Sequence, residues 1–178
     1  MKITHPERIH SRRRPAPGFT LIEALVTIVV LSFGVLALAS LQLRTLVDGR
    51  TASMRNVATV LAYNLADQLR SNEAAMTAGA YNQPVGLTMV ACFTTAGCTP
   101  AQMAASSYKA WLDDAAAALP GGLGTVCIDS TPDDGTPANP QCDNASGAPY
   151  AIKIWWQEDK APPYQTPVYQ RFVTAFVP

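Results

Sequence analysis

The sequence predicts an α+β fold in which one long N-terminal helix packs on a small antiparallel sheet that carries a disulfide-braced loop. Three observations predict this class. An apolar run continues into an amphipathic helical pattern, with no proline between Pro17 and Pro84. Residues 150–157 alternate with the period of a strand, and two further strand-like segments flank them. Four cysteines lie among turn-forming residues of the second half.

The apolar run from Phe19 to Leu43 has the length of a membrane span. It contains no charged residue from Ala24 to Leu41. Its 25 residues, at about 1.5 Å each, give a rod of about 37 Å, against about 30 Å for a hydrocarbon core. Five of the 13 Lys and Arg residues precede it within residues 1–18. This bias predicts a single-pass membrane anchor with the N-terminus cytoplasmic.

The run opens with a short motif at residues 18–23, GFTLIE. This motif resembles the processing site of type IV prepilins. The resemblance implies that the anchor lies in the bacterial inner membrane, in contact with its lipid. It also implies that a prepilin peptidase cuts between Gly18 and Phe19 and that Phe19 is then N-methylated. A glycine before the scissile bond suits close backbone approach. No convincing secretory cleavage site follows Leu43.

Glu23 is a carboxylate inside the predicted span. At the centre of a span such a group costs about 2.5–3.5 kcal/mol, and less near the interface, so a partner is expected. Cleavage would place the new Phe19 ammonium one helical turn away. The resemblance implies that the ammonium of one subunit neutralises Glu23 of its neighbour during assembly. The alternative is an interfacial carboxylate without a role.

Four segments follow from these patterns: a leader at 1–18, a transmembrane half-helix at 19–43, an amphipathic half-helix at 44–78 and a periplasmic head at 79–178. Removing the leader takes away five basic residues and one acidic residue. The 13 residues of each sign then become eight basic and 12 acidic residues, a formal charge of −4. The mature chain therefore offers no basic face for nucleic acid.

Both histidines, His5 and His10, belong to the leader. The mature chain therefore lacks the imidazole that a Ser/His/Asp or Cys/His nucleophilic site requires, and it has none to bind zinc. We expect no enzymatic activity, no cofactor and no metal.

The head pattern predicts a loop-rich connection over 79–105 and then a short helix capped by Ser106 or Ser107 and stopped after Leu119. Trp111 on that helix is interpreted as a core anchor rather than a ligand platform. Trp155 is interpreted as packing under a loop, with an exposed contact surface as the alternative. Three strands are predicted, at 124–129, 150–157 and 168–177.

The four cysteines, placed outside the cytoplasm, allow three pairings. We favour Cys92 with Cys98 and Cys127 with Cys142, because each pair closes a local loop within one segment rich in Pro and Gly. In the chain-entropy account, a loop of about 15 residues is worth roughly 3 kcal/mol.

Four acidic residues crowd the loop between the first two predicted strands: Asp129, Asp133, Asp134 and Asp143. Calcium binds oxygen-rich loops of this kind, but the spacing matches no EF-hand. We therefore interpret the loop as a solvated turn, and nothing in the sequence places two of its carboxylates in a cleft as an acid/base pair.

Further segments resemble PilV-type minor pilins: residues 63–75, YNLADQLRSNEAA, then Gly79-Ala80-Tyr81, residues 108–112, YKAWL, and residues 119–124, LPGGLG. The resemblance implies a pilin fold and a minor subunit that helps start pilus assembly or caps the pilus tip. It also implies other minor pilins, the major pilin and a tip adhesin as partners. The span lacks the proline found inside many major pilin helices, which argues against a filament-building subunit.

Two other functions remain open. A minor pseudopilin of type II secretion would share the leader, Glu23 and the long helix, and the neighbouring genes would separate it from a pilus subunit. A membrane-anchored periplasmic enzyme is disfavoured by the absence of histidine from the mature chain. The filament position, the stoichiometry and the adhesion target do not follow from the sequence.

Overall fold

The computed structural model describes residues 18–158 and 168–177. Its elements in chain order are helix α1 (Leu21–Ser71), helix α2 (Glu73–Thr77), a 3₁₀ turn (Val90–Phe93), helix α3 (Pro100–Ala118) and strands β1 (Leu123–Ile128), β2 (Tyr150–Gln157) and β3 (Tyr169–Phe176). The predicted class is confirmed: a long helix, an antiparallel three-stranded sheet and two disulfides, consistent with a pilin-like α+β fold.

The chain divides into two compact units, with the boundary between Leu46 and Val47. The described part of the first unit is the N-terminal portion of α1 with the three residues that precede it, and all of these residues are exposed. By length and composition α1 can cross a membrane, since it contains an 18-residue window of mean hydropathy 2.5, none of it buried.

In the second unit, the C-terminal part of α1 forms one wall of the core. Its buried residues recur at helical spacing: Met54, Ala58, Leu61, Ala62, Leu65, Ala66 and Leu69. Three of these seven are alanines, which let neighbouring elements approach the helix closely. This part of α1 is the amphipathic stripe that the sequence predicts.

Helix α3 brings Trp111 into the same core, where its side chain is buried. The indole Nε1 donates a hydrogen bond of 2.8 Å to the carbonyl oxygen of Leu61. A Cβ at Gly124 would overlap the Trp111 ring, so this glycine makes room for the indole against β1. The interpretation of Trp111 as a core anchor is confirmed.

The sheet has the order β1-β2-β3, and both strand pairs are antiparallel. The alternating residues Tyr150, Ile152, Ile154 and Trp156 of β2 belong to the hydrophobic core. The opposite face of β2 carries Ala151, Lys153 and Trp155, and these are buried as well. Trp155 is buried, and residues of the 129–149 loop line a groove beside it, so the interpretation that Trp155 packs under a loop is confirmed.

One predicted boundary is wrong. Helix α3 begins at Pro100, six residues before the predicted cap at Ser106. Thr99 is the N-cap, and it forms a capping box with Gln102. Pro100 was interpreted as a breaker, but at the first helical position its fixed φ and missing N–H favour the helix. Ser107 lies inside the helix and donates to the Ala104 carbonyl.

Candidate functional site: the N-terminal motif and the braced loop

The motif at residues 18–23 spans the start of α1. Gly18, Phe19 and Thr20 are non-helical and exposed, and α1 begins at Leu21. Thr20 caps the helix, because its Oγ1 accepts from the Glu23 N–H at 3.3 Å and its carbonyl accepts from the Ala24 N–H at 3.2 Å. The peptide bond between Gly18 and Phe19 therefore lies just outside the helix, where a peptidase can approach the backbone.

Glu23 occupies the first turn of α1 and is exposed. A carboxylate at this end of a helix is favoured by the partial positive charge of the unpaired N–H groups. Phe19 precedes Glu23 by one helical turn, so the two residues that the predicted pairing needs lie at the same end of the helix. The pairing itself joins two subunits and stays a prediction.

The first unit exposes large apolar side chains around the whole helix. Its exposed residues include Phe19, Leu21, Ile22, Leu25, Val26, Ile28, Val29, Val30, Leu31, Phe33, Val35, Leu36, Leu38, Leu41 and Leu43. A helix that is apolar on every side is suited to lipid or to the interior of a helical bundle, and a soluble surface rarely carries such an area. The bounds of the transmembrane half-helix, 19–43, stay a prediction, because exposed apolar side chains continue beyond them to Leu46 and Val47.

Two disulfides brace the head. They are the two pairs favoured from the sequence, Cys92–Cys98 with a Cα–Cα distance of 4.8 Å and Cys127–Cys142 with 6.1 Å. Cys127 belongs to β1, so the second bridge ties the 129–149 loop to the sheet. The first bridge closes the segment that leads into α3.

A buried lysine organises the same loop, and the sequence analysis missed it. Lys153 and Asp129 both have fully buried side chains, and their Nζ and Oδ2 atoms lie 2.6 Å apart. Lys153 Nζ also lies 2.8 Å from Asp134 Oδ1 and donates to the Pro140 carbonyl at 2.8 Å. The ammonium thus fastens three points of the loop to the central strand. The signal in the sequence was Lys153 itself, a charged residue between two apolar residues of a predicted strand.

A second cation of the sheet contacts the loop. Arg171 of β3 donates to Asp133 Oδ1 at 2.7 Å and to the Gly135 carbonyl at 3.1 Å. The interpretation of the loop as a solvated turn is wrong for Asp129, because its side chain is buried against Lys153. The four acidic residues do not act as one group, because Asp133 faces Arg171 and Asp143 accepts from Ser130.

Hydrogen bonds lower the pKa of two loop carboxyls below the ordinary 3.8. For Asp134 the main cause is the hydrogen bond from Lys153, followed by that from Thr131. For Asp143 the main cause is the hydrogen bond from the Ser130 side chain, followed by that from the Ala145 N–H. The ionised form of each carboxylate is therefore favoured by the folded loop and contributes to its stability.

One group of potential metal ligands occurs in the described residues, formed by Cys127, Asp129 and Cys142 within 4.8 Å. Two of its three donors are disulfide sulfurs and the third is the carboxylate that pairs with Lys153. While the disulfide is formed, its two sulfurs are not thiolates and do not act as metal ligands of the usual kind.

Comparison with protein families gives one match. The prokaryotic N-terminal methylation motif covers residues 13–39, which include Gly18, Phe19 and Glu23. Searches of curated proteins and of solved structures gave no match. The matched motif and the fold support a type IV pilin-like protein, functioning as a pilin or a pseudopilin, that a prepilin peptidase processes and that has pilin-type partners. Proteins with this motif are typically structural rather than enzymatic.

Proposed function

We propose that this chain is a minor pilin of the PilV type, a non-catalytic subunit that helps to start pilus assembly or to cap the pilus tip. One observation carries the proposal. The methylation motif stands at the head of a single 51-residue helix whose N-terminal part is apolar and exposed and whose C-terminal part belongs to the core of a disulfide-braced head.

The proposed mechanism begins in the inner membrane. The leader, residues 1–18, stays cytoplasmic because of its five basic residues, and the head lies in the periplasm. Prepilin peptidase removes the leader after Gly18, and Phe19 is methylated. The span of residues 19–43 then holds the subunit in lipid until other pilin helices pack against it.

Assembly exchanges lipid contacts for helix packing. Glu23 would be costly among apolar helices unless a positive charge met it, and the Phe19 ammonium of a neighbouring subunit supplies that charge. The half-helix 44–78 carries the head, residues 79–178, to the surface of the growing assembly. There it meets the other minor pilins, the major pilin and a tip adhesin.

A minor pseudopilin of type II secretion is the second candidate, because the same motif and helix serve both machines. A periplasmic enzyme is less well supported. The groove beside Trp155 has Asp133 and Arg171 as its only charged lining residues among those described, and these two pair with each other.

The test of the proposal combines maturation with phenotype. Intact mass and N-terminal sequencing of the protein recovered from inner membranes should give a chain that begins at N-methylated Phe19. A strain that lacks the protein should then lose surface pili and retain secretion through the type II system. Loss of secretion with normal pili would assign the pseudopilin function. A chain that still begins at Met1 would contradict both.

A further inference from the structure

The two edges of the sheet differ in how their backbone groups are satisfied. An edge strand presents a row of N–H and C=O groups that pair readily with another strand unless something covers them. In this head one edge is covered by the chain's own residues and the other is open in the described part of the chain.

The β1 edge is covered along its length. The Gly124 carbonyl accepts from the Tyr108 hydroxyl at 3.2 Å, and the Val126 carbonyl accepts from the Gln83 N–H at 2.9 Å. At the end of the strand, the Ile128 N–H donates to the Asn82 side chain at 2.9 Å, and the Ile128 carbonyl accepts from the Asn144 N–H at 3.1 Å. Every second residue of β1 therefore has an outward-pointing group with a partner from another element.

The same alternation fixes which residues of β3 point outward. The backbone N–H and C=O groups of residues 124, 126 and 128 point away from β2, so residues 123, 125 and 127 of β1 make the hydrogen bonds to β2. In the antiparallel register, the backbone groups of residues 150, 152, 154 and 156 of β2 then point to β3. The outward residues of β3 are then Tyr169, Arg171, Val173 and Ala175. Within residues 18–158 and 168–177, no hydrogen bond reaches the backbone N–H or C=O groups of these four residues.

Strand β3 also lacks the features that normally protect an open edge. It is eight residues long and contains no proline, lysine or acidic residue. Its one charge, Arg171, is bound to Asp133 and to loop carbonyls. Its side chains are mostly half-buried, whereas those of the central strand are almost all buried, as expected for a strand that has a neighbour on one side only.

We propose that the open edge of β3 binds an extended, largely uncharged segment of another subunit, which adds to the sheet as a fourth strand. The unpaired row of N–H and C=O groups is complementary to a strand and not to a helix. On the helix side of the sheet, the added strand would contact Phe172 and Phe176, which are half-buried at the margin of the core. The proposal rests on the proposed function, because a pilus assembly supplies the other subunit.

The edge favours a partner segment that carries few charges. Strand β3 has no lysine or acidic residue, and its one cation, Arg171, is already paired with Asp133, so a charged segment would find no free counter-charge on this strand. The occupant we propose is a segment of a different chain, and pairing of two copies through the same edge is the outcome that the crosslinking test separates from it.

Site-specific photo-crosslinking in pilus-producing cells tests the proposal on the full-length protein. Benzoylphenylalanine is placed at Val168 and Val177, which flank β3 and are 74% and 78% exposed, with Leu123 at the β1 edge as the control position. The test variant is Ala175→Pro, which deletes one outward N–H at an exposed residue. Ala175→Thr is its matched control, because it keeps that N–H.

We expect crosslinks from Val168 and Val177 to an uncharged segment of another subunit, and none from Leu123. Ala175→Pro should lower their yield about tenfold, which corresponds to about 1.4 kcal/mol of strand pairing, and Ala175→Thr should retain it. Correct formation of both disulfides and hydrogen-exchange protection of β2 will show that the Pro variant is folded. If it is not, Ala175→Lys, which keeps the backbone intact and puts a charge on the edge, takes its place.

Three results would overturn the proposal: adducts that join two copies of this chain, adducts that Ala175→Pro and Ala175→Lys leave unchanged, or pili that assemble normally without any adduct. Each of these results is distinguishable from failure of the proposed function. If the proposed function fails, the chain does not begin at methylated Phe19, or pili persist in a strain that lacks the protein.

Discussion

We predict that leader removal requires Gly18 and that the fold does not. A Cβ added there would meet no atom within 4 Å, so a substitution leaves the described structure undisturbed. We expect Gly18→Val to abolish leader removal, because the side chain obstructs approach to the scissile bond. The mass of the membrane-bound protein then stays that of the unprocessed chain.

The control for this prediction is Gly34→Ala. Gly34 lies within α1, where an added Cβ also meets nothing within 4 Å, so the variant should be processed normally. Processed protein of normal mass in Gly18→Val would refute the cleavage position.

Glu23 is predicted to act after cleavage. Its backbone N–H takes part in the Thr20 cap, but its side chain does not, so Glu23→Ala should leave the start of α1 in place. We expect normal leader removal and loss of most surface pili, because the neighbouring ammonium is left without its counter-charge. Electron microscopy counts the pili and mass spectrometry reports the processing.

Glu73→Ala is the matched control, since Glu73 is also an exposed first-turn carboxylate but lies in helix α2 of the second unit, outside the predicted span. It should keep normal numbers of pili. Undiminished piliation in Glu23→Ala would remove the role assigned to this carboxylate.

At the scale of elements, the sequence predicted what depends on local periodicity. The long helix, the three strands and their order follow from apolar spacing, and the observed strand ends lie within about two residues of those predicted. The predicted start of α3 was wrong because Pro100 was interpreted as a helix breaker. Thr99 and Gln102 form a capping box, and recognising it places Pro100 at the first position of the helix. The ion pair between Lys153 and Asp129 could not be predicted from local periodicity. The two residues are far apart in sequence, and only the fold brings the loop over β2.

Lys153 joins the loop to the central strand of the sheet, in addition to the Cys127–Cys142 disulfide and the contacts of Arg171. Lys153→Met should lower the free energy of unfolding of the head by about 3–5 kcal/mol, because it leaves Asp129 buried without its partner. The double variant Lys153→Met/Asp129→Leu should recover much of this loss, since both charges are removed. Urea unfolding of the full-length protein in detergent, followed by tryptophan fluorescence, measures the difference.

Lys109→Met is the control for a surface ion pair. Lys109 pairs with Asp113 one turn along α3, and both side chains are partly exposed, so the loss should stay below about 1 kcal/mol. Equal effects of the two lysine variants would show that Lys153 does not hold the loop.

Acid should loosen the same loop. The pKa values of Asp134 and Asp143 lie below the ordinary 3.8 in the folded protein. Their contribution to stability is therefore present above pH 4 and is lost as the pH falls through the folded pKa values. Hydrogen exchange of the protein, labelled at pH 6 and at pH 3 and then quenched, measures this change once the intrinsic exchange rates are corrected for. We expect lower protection of residues 129–149 at pH 3 than at pH 6. Equal corrected protection would contradict these hydrogen bonds.

At the scale of the whole molecule, the chain separates an apolar N-terminal unit from a folded head. The first unit repeats one simple pattern, so its predicted role came directly from the sequence, together with the motif at residues 18–23. The head is harder to interpret, because a partner surface is defined by which backbone edge stays open. That property depends on the hydrogen bonds that seal β1 and appears only in three dimensions.

Removing the loop disulfide tests whether the two units act independently. The double variant Cys127→Ser/Cys142→Ser opens a bridge with a sequence separation of 15, worth about 3 kcal/mol in the chain-entropy account. The matched variant Cys92→Ser/Cys98→Ser opens one with a separation of six, worth about 2 kcal/mol. We expect both to destabilise the head, the first more than the second, as measured by urea unfolding. Leader removal at Gly18 should stay normal in both, because the predicted cleavage site and both disulfides lie in different units. A failure of processing in either variant would show that maturation depends on a folded head.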